Sequence, residues 1–338
     1  MTRQQIIRSG GALIGLTICA LLLWCRPHRD AAPRYFHNRG HVFGTYYNLR
    51  YSADHDLQAA IDSAFAAFDA SLSMFNPRSV LSAVNQNRDT LTDLRFEQMF
   101  AMAMEVSRLS HGAFDITVAP LVNLWGFGFK HREDVTPERV DSARALIGYT
   151  RVRLIDHRVL KDDPRIMLDA GAVAKGQACD VLAEVLRQHG ARNYLVDIGG
   201  EVVAHGVNSE GQPWRIGITR PDDDPDGLND QLQDVVSSSD ICMATSGNYR
   251  NFYYEGEQRR SHTIDPRTGY PVQHSLLSAT VVAPTCMQAD ALATASMVLG
   301  ADSALVLVQQ AGARAYLIVS DPSAPDSLRV LKTPNWNY

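Results

Sequence analysis

Apolar side chains recur at helical spacing in several stretches of the chain. Between residues 57 and 72, five of them lie three or four positions apart and predict a helix with one apolar face, namely Leu57, Ile61, Phe65, Phe68 and Leu72. A second helix is predicted over residues 94–110. Thr136 is a good N-cap and Pro137 suits the first turn, so a third helix is predicted from there to Gly148.

The rest of the chain contains more strands than helices. Helices are predicted over residues 174–189, where Gly190 ends the helix, and over 287–299 and 303–310. Short apolar runs predict strands over residues 41–51, 152–155, 166–169, 194–198, 202–205, 214–219, 232–244, 249–254, 279–282 and 315–319. Because strands and helices do not alternate regularly, the pattern favours an α+β fold with a mixed, largely antiparallel sheet and packed helices.

The first 34 residues differ from the remainder. Arg3 and Arg8 precede an apolar run over residues 10–25, and further basic residues follow it. A basic start and a short apolar stretch predict an export signal or a membrane anchor. The run is shorter than the roughly 20 apolar residues of a comfortable span. Cys25 invites a lipoprotein interpretation, although Trp24 stands where a small residue normally precedes a lipidated cysteine.

Composition narrows the class of protein. With 338 residues, 45% of them hydrophobic and 20% charged, the chain can build one large core or two smaller ones. A net charge of −5 argues against a nucleic-acid-binding protein, which is normally basic. Beyond the N-terminal segment the cysteines are Cys179, Cys242 and Cys286. They are far apart and lack zinc-site spacing, so each is interpreted as a small buried apolar residue.

The segment RIMLDAGAVAKGQACD, residues 165–180, has the features of an anion-binding junction. A predicted strand leads to Asp169, small residues follow, and a helix begins near Ala174 with Lys175 in its first turn. Free N–H groups at a helix start and a lysine ammonium both suit a phosphate or carboxylate. The segment matches neither a dinucleotide-binding nor a P-loop motif, and plain packing remains an alternative.

The segment APTCMQADALATASMVLG, residues 283–300, contains a carboxylate among small apolar residues. Asp290 and Thr294 are four residues apart and would share one helix face. Their oxygens suit Mg²⁺ better than zinc. The alternative is that Asp290 lies in the first turn and complements the helix dipole.

Two turn-rich or glycine-rich segments offer further chemistry. SHTIDPRTGYPV, residues 261–272, begins with His262, a natural general base at neutral pH, although a single histidine is often structural. HGAFDITVAPLVNLWGFG, residues 111–128, includes Asp115. Aromatic residues alternate with glycine near its end, at Trp125, Phe127 and Phe129, and either stack on a ring system or fill a core.

Nine segments, in this order, resemble the FAD:protein FMN transferase (ApbE) family over residues 40–335. They read FGT, MFNPRSVLSAVN, GAFDITVAPLVNLWGFG, LDAGAVAKG, YLVDIGGEV, PWRIGI, TSGNYRNF, SHTIDPRTGYPV and VVAPTCMQADALATA. No single segment is specific, but nine in the family's order are. The resemblance implies an ApbE-like (T-fold-like) catalytic domain over residues 35–338, which follows the signal or membrane anchor predicted over residues 1–34.

The resemblance also implies roles for individual residues. Mg²⁺ would be held by side-chain oxygens of Asp290 and Thr294 and by the backbone carbonyl of Ala172. FAD contacts fall at eight positions, namely Phe43, Phe75, Ala113, Phe114, Asp115, Asp169, Lys175 and Ile264. His262 is the histidine of the family's HxIDP motif and is expected to move the proton. Phe43 stands where methionine is usual and Phe75 where tyrosine is common, and both keep an apolar contact.

The implied reaction cleaves FAD, releases AMP and attaches FMN through a phosphoester to a Thr or Ser hydroxyl of an acceptor protein. The expected acceptor is a membrane electron-transfer flavoprotein. The expected location is the cell envelope, on the periplasmic side of the inner membrane, through an uncleaved anchor or as an atypical lipoprotein. Alternatives are an FAD pyrophosphatase, in which water replaces the acceptor, and a non-catalytic flavin-binding protein. A structural or adhesion module fits worst, since it leaves the buried carboxylate unexplained.

Overall fold

A computed structural model describes residues 33–128, 135–222, 231–249, 252–255, 258–321 and 324–338. The chain divides into two units, Met1–Arg34 and Tyr35–Tyr338. The predicted anchor, except for its last two residues, lies outside the described residues, as does Phe129. No helix within the described ranges is long and apolar enough to cross a membrane.

The second unit contains both helices and strands. The helices are α1 (Gln58–Leu72), α2 (Val80–Asn85), α3 (Leu94–Leu109), α4 (Ala119–Leu124), α5 (Pro137–Arg144), α6 (Ala174–Gln188), α7 (Cys286–Leu299) and α8 (Ala301–Gln310). The strands are β1 (Tyr35–Val42), β2 (Thr45–Ser52), β3 (Val152–Ile155), β4 (Arg158–Lys161), β5 (Tyr194–Ile198), β6 (Glu201–His205), β7 (Trp214–Thr219), β8 (Leu232–Ser238), β9 (Asp240–Gly247), β10 (Phe252–Glu255), β11 (Gln258–Ser261), β12 (Leu276–Val282), β13 (Arg314–Asp321) and β14 (Ala324–Lys332).

One large sheet organises this unit. Eight strands pair in the order β1-β2-β5-β6-β9-β12-β13-β14. Every neighbouring pair in it is antiparallel. The pairs β3–β4, β7–β8 and β10–β11 form separate two-stranded sheets. The α+β class with a largely antiparallel sheet is therefore confirmed.

Both faces of the large sheet are buried. Along β13, Leu317 and Val319 belong to the main core, which the helices share, whereas Tyr316 and Ile318 point to the opposite face. There the β7–β8 ribbon covers the sheet with side chains such as Trp214. This alternation is the two-residue period of a strand, and it places the helices on a single face of the sheet.

The predicted helices are largely confirmed. The apolar face of α1 is buried as the spacing predicted. Thr136 caps α5 by accepting a hydrogen bond from the Arg139 N–H, although α5 ends at Arg144 rather than at Gly148. Helix α6 ends at Gln188, and Gly190 follows with a φ of 83°, the left-handed conformation that glycine adopts readily.

The predicted strand over residues 41–51 is wrong because a hairpin turn interrupts it. Phe43 and Gly44 lie between β1 and β2 with φ angles of 52° and 76°. Two successive residues with positive φ form the type I′ turn that matches the twist of a hairpin. Phenylalanine is rarely found there, so the sequence carried no usual turn signal.

Two other strand predictions also need correction. Residues 232–244 form two strands, β8 and β9, which belong to different sheets. Residues 166–169 form no strand. The buried side chains Ile166 and Leu168 explain the apolar pattern, because this segment packs into the core without pairing with a strand.

Candidate active site

A cavity of about 530 Å³ lies beside the first turn of α6 and the part of α7 from Asp290 to Val298. Eleven of the twelve sequence-predicted site residues line it, namely Phe75, Ala113, Phe114, Asp115, Asp169, Ala172, Lys175, His262, Ile264, Asp290 and Thr294. Loops, helices and strand ends distant in sequence therefore meet at one place.

Phe43 is the predicted site residue that does not line this cavity. Its ring packs instead on Phe65 and Phe68 of α1, with ring centroids 5.7 and 5.2 Å away. In this structure Phe43 fixes the β1–β2 turn against α1, and its contact with a flavin stays a prediction.

Helices α6 and α7 cap one another. The residue preceding α6 is Val173, whose side chain makes no capping hydrogen bond. Instead, Asp290 of α7 accepts a 3.0 Å hydrogen bond from the Gly176 N–H. In return, the two carboxylate oxygens of Asp180 on α6 accept hydrogen bonds from the N–H groups of Cys286 and Met287, each 2.9 Å long. Each helix thus supplies the acceptors that the other's N-terminus requires.

Glycine at position 176 permits this close approach. A Cβ atom there would lie 2.3 Å from the carbonyl oxygen of Cys286 and 2.8 Å from Cβ of Asp290. Such contacts with backbone cannot be relieved by a rotamer change. Because Gly176 has no side chain, the carboxylate of Asp290 can lie next to the start of α6.

The dipole explanation for Asp290 does not fit its position. Helix α7 has no acidic residue in its first turn, and Asp290 is the fifth residue of the helix. Its side chain is buried, with a relative exposure of 2%. Burial raises the pKa of Asp290, while the nearby charge of Lys175 opposes the shift. A carboxylate in such surroundings requires a cation or hydrogen-bond donors.

The oxygens near Asp290 fit a hard divalent cation. Thr294 lies one turn along α7, and its hydroxyl is 3.3 Å from that of Ser246. The Gly176 N–H donates to Asp290 and not to the Ala172 carbonyl, which accepts no hydrogen bond among the described residues. Mg²⁺ is usually held by one or two carboxylates together with waters and substrate phosphates. The donor set fits that pattern, and the described part of the chain contains no group of three or more His, Cys, Asp or Glu residues arranged to hold a metal ion.

Lys175 is held by a residue that the sequence analysis did not single out. Its ammonium lies 2.5 Å from Oε1 of Glu201, a carboxylate with a side-chain exposure of 2% at the start of β6. Burial lowers the pKa of Lys175, but Glu201 and Asp290 outweigh it and raise the pKa, so the lysine is charged. Glu201 could have been noticed in the sequence, because it is a charged residue at the start of the apolar run that follows Gly199 and Gly200.

Two further carboxylates shape the cavity wall. Asp115 accepts hydrogen bonds from the Thr117 N–H and hydroxyl and from the Tyr149 N–H, at 2.6–2.8 Å. Asp169 accepts a 2.7 Å hydrogen bond from the Gly171 N–H. Burial raises the pKa of both groups. Each carboxylate therefore fixes a turn of the chain at the cavity.

Phe127 and Trp125, two of the aromatic residues that alternate with glycine, have different roles. Phe127 lines the cavity and packs edge-on against His262, with ring centroids 6.3 Å apart. Trp125 is buried in a small core with Ile264, and its indole N–H donates to the Gly269 carbonyl at 2.9 Å. Trp125 is thus a core residue that supports the loop containing His262.

Comparison with known proteins agrees with this arrangement. The model of the ApbE family matches residues 43–317. The FAD:protein FMN transferase of Haemophilus influenzae is 37% identical over 297 residues, covering 83% of this chain and 85% of that protein. The FAD:protein FMN transferase of Salmonella typhimurium is 38% identical over 276 residues, covering 79% and 77%.

Solved structures show the same fold. The flavin transferase ApbE from Vibrio cholerae superimposes with a TM-score of 0.80 at 33% identity and covers 90% of this chain and 98% of that chain. The apo form of the Pseudomonas stutzeri flavinyl transferase ApbE gives a TM-score of 0.79 at 29% identity, with 90% and 96% covered. From the extent of these matches, we conclude that the chain belongs to the ApbE family.

Proposed function

We propose that this protein is a Mg²⁺-dependent FAD:protein FMN transferase. It cleaves FAD, releases AMP and joins FMN through a phosphoester to a Thr or Ser hydroxyl of an acceptor protein. The observation that carries the proposal is the meeting of Asp290, Thr294, Lys175 and His262 on the wall of one cavity. The relatives named as FAD:protein FMN transferases support the same reaction.

The polar end of the cavity suits a diphosphate. Lys175, at the start of α6, provides positive charge for its oxygens. Glu201 keeps the lysine ammonium in place before substrate arrives. Asp290, Thr294 and the Ala172 carbonyl would hold Mg²⁺, which when bound neutralises the phosphate oxygens during displacement at phosphorus.

The apolar end suits the ring systems of FAD. Phe114 and Ile264 are buried in the wall, and Phe75 is 77% exposed at the same cavity. Aromatic and aliphatic walls hold planar rings and exclude water. His262 accepts the proton of the acceptor hydroxyl as its oxygen attacks phosphorus on the FMN side, and AMP is the leaving group.

The acceptor and the location complete the proposal. The acceptor is a membrane electron-transfer flavoprotein, and residues 1–34 hold the enzyme at the inner membrane, facing the periplasm. The basic flanks and the apolar run of that segment support this placement.

Product analysis tests the reaction class. The protein is incubated with FAD and Mg²⁺, with and without a candidate acceptor, and AMP and free FMN are quantified by chromatography. We expect AMP release to require the acceptor and to equal the protein-bound flavin formed. Steady formation of AMP and free FMN without acceptor would instead identify an FAD pyrophosphatase.

A further inference from the structure

The three cysteines that are far apart in the sequence come together behind the active site. Cys179 lies on α6, Cys286 is the first residue of α7, and Cys242 lies on β9. All three are free thiols, with Cys179 and Cys286 buried and Cys242 half-buried. The proposed transferase reaction uses none of them.

The sheet beneath these helices shows how close Cys179 and Cys286 are. The Cys179 thiol donates to the carbonyl of Glu201 at 3.1 Å, and the Cys286 thiol donates to the carbonyl of Met243 at 3.4 Å. Strands β6 and β9 are paired with Val202 opposite Met243, so the two carbonyls lie on adjacent strands, which are about 4.8 Å apart. The two thiols are also near neighbours, since the side chain of each affects the pKa of the other.

We propose that Cys179 and Cys286 are a disulfide-forming pair that covalently joins α6 to α7 when the chain folds in the presence of a small-molecule or protein disulfide. The thiolate of one cysteine attacks the external disulfide and releases one external thiol. The second cysteine thiolate then attacks the protein sulfur of the mixed disulfide and releases the other. Two protein thiols are oxidised, one external disulfide is reduced, and the two protons go to the two released thiols.

The bond forms during folding rather than afterwards. Burial raises the pKa of both thiols in the folded protein, and a protonated, inaccessible thiol exchanges very slowly. Once formed, the bond lies directly behind the contact between Gly176 and Cys286. It would fix the helix that presents Lys175 relative to the helix that presents Asp290.

Cys242 provides the matched control. It lines a second cavity, of about 290 Å³, together with Ala283 and Pro284, and it is the cysteine of the three that is not fully buried. If simple accessibility governed oxidation, Cys242 would react in preference to the buried pair.

Peptide mapping tests the pairing. The full-length protein is unfolded, refolded in a mixture of reduced and oxidised glutathione, alkylated, digested without reductant and analysed by mass spectrometry. We expect a cross-linked peptide pair containing Cys179 and Cys286, with Cys242 alkylated. Refolded protein in which Cys179 and Cys286 are both alkylated, or in which Cys242 is the main partner, would overturn the proposal.

Thermal unfolding gives a second readout that does not depend on flavin chemistry. Reduction of the refolded wild type and of Cys242→Ala should lower the melting temperature by roughly 3–10 °C, since the bond closes a loop of more than 100 residues. Cys179→Ala and Cys286→Ala should show no shift on reduction. A shift of equal size in all four proteins would contradict the assignment.

Discussion

At the scale of single residues, Asp290 combines a structural role with its proposed role in cation binding. Its carboxylate caps α6 through the Gly176 N–H, and it lies in the cavity beside Thr294. A substitution by alanine would remove both functions at once. Asparagine retains an oxygen that can accept the Gly176 hydrogen bond but removes the negative charge, so it separates the cap from the cation site.

Asp290→Asn is therefore expected to fold normally and to lose transfer activity. The turnover of FAD at saturating Mg²⁺ should fall by roughly 100-fold or more, the scale of losing a group that stabilises developing charge. The free energy of unfolding should change by no more than about 1 kcal/mol, because the cap remains. Denaturant titration and a steady-state assay measure the two quantities.

Asp302→Asn is the matched control. Asp302 lies in the first turn of α8 and does not line the cavity. Its substitution should leave turnover and Mg²⁺ dependence unchanged. Equal losses in the two variants would show that the effect does not come from the proposed cation site.

Asp197 gives a prediction for the pH dependence of stability. Burial raises its pKa to about 6, while a hydrogen bond from the Gly200 N–H opposes the shift. Because the folded state holds the proton more tightly than the unfolded state, this group favours folding at low pH. That contribution is lost as the pH rises from about 4 through 6.

Asp197→Asn should remove this contribution. Between pH 4.5 and pH 7, the unfolding free energy of the wild type should fall relative to the variant by up to about 2 kcal/mol. Guanidinium titrations of both proteins at the two pH values measure the difference. Parallel changes in the two proteins would contradict the assignment.

At the scale of secondary-structure elements, the crossing of α6 and α7 builds the polar end of the site. Glycine inside an exposed helix normally lowers stability by about 1 kcal/mol relative to alanine. At position 176 we expect alanine to be less stable than glycine, since a Cβ atom would meet the Cys286 carbonyl at 2.3 Å. Whether Gly176→Ala raises or lowers the free energy of unfolding therefore tests how closely α6 and α7 cross.

Gly176→Ala should lower the free energy of unfolding by roughly 1–3 kcal/mol, the range typical of overpacking. Denaturant titration measures the loss. Arg187→Ala, at an exposed position on α6 with 65% side-chain exposure, should change stability by no more than about 0.5 kcal/mol. Stabilisation by alanine at position 176 would contradict the close crossing.

The elements themselves were predictable where local chemistry dominates. The apolar period of α1, the cap of α5 and the glycine after α6 all act within a few residues, so they can be read from the sequence. Strand β14 was missed because it is an edge strand containing proline and charged residues, without a clear alternation. The β1–β2 turn was missed because Phe43 adopts a backbone conformation that phenylalanine rarely occupies.

At the scale of the whole molecule, the antiparallel sheet brings distant segments together. The cavity is lined by residues from Met74 to Val298, and local patterns do not reveal that these residues meet. The site residues followed from the resemblance to a family, whereas Glu201 and the cysteine pair emerged only from the fold. Glu201 meets Lys175, and Cys179 meets Cys286, through contacts between elements that are distant in the sequence. Residue spacing does not reveal such contacts.

The central claim is that this cavity transfers FMN from FAD to a hydroxyl of another protein. The most direct measurement is the intact mass of a candidate acceptor after incubation with the full-length protein, FAD and Mg²⁺. We predict that one Thr or Ser gains the mass of FMN less water, and that Asp290→Asn or removal of Mg²⁺ abolishes the gain. Efficient flavin attachment by Asp290→Asn, or an acceptor of unchanged mass while FAD is consumed, would contradict the account.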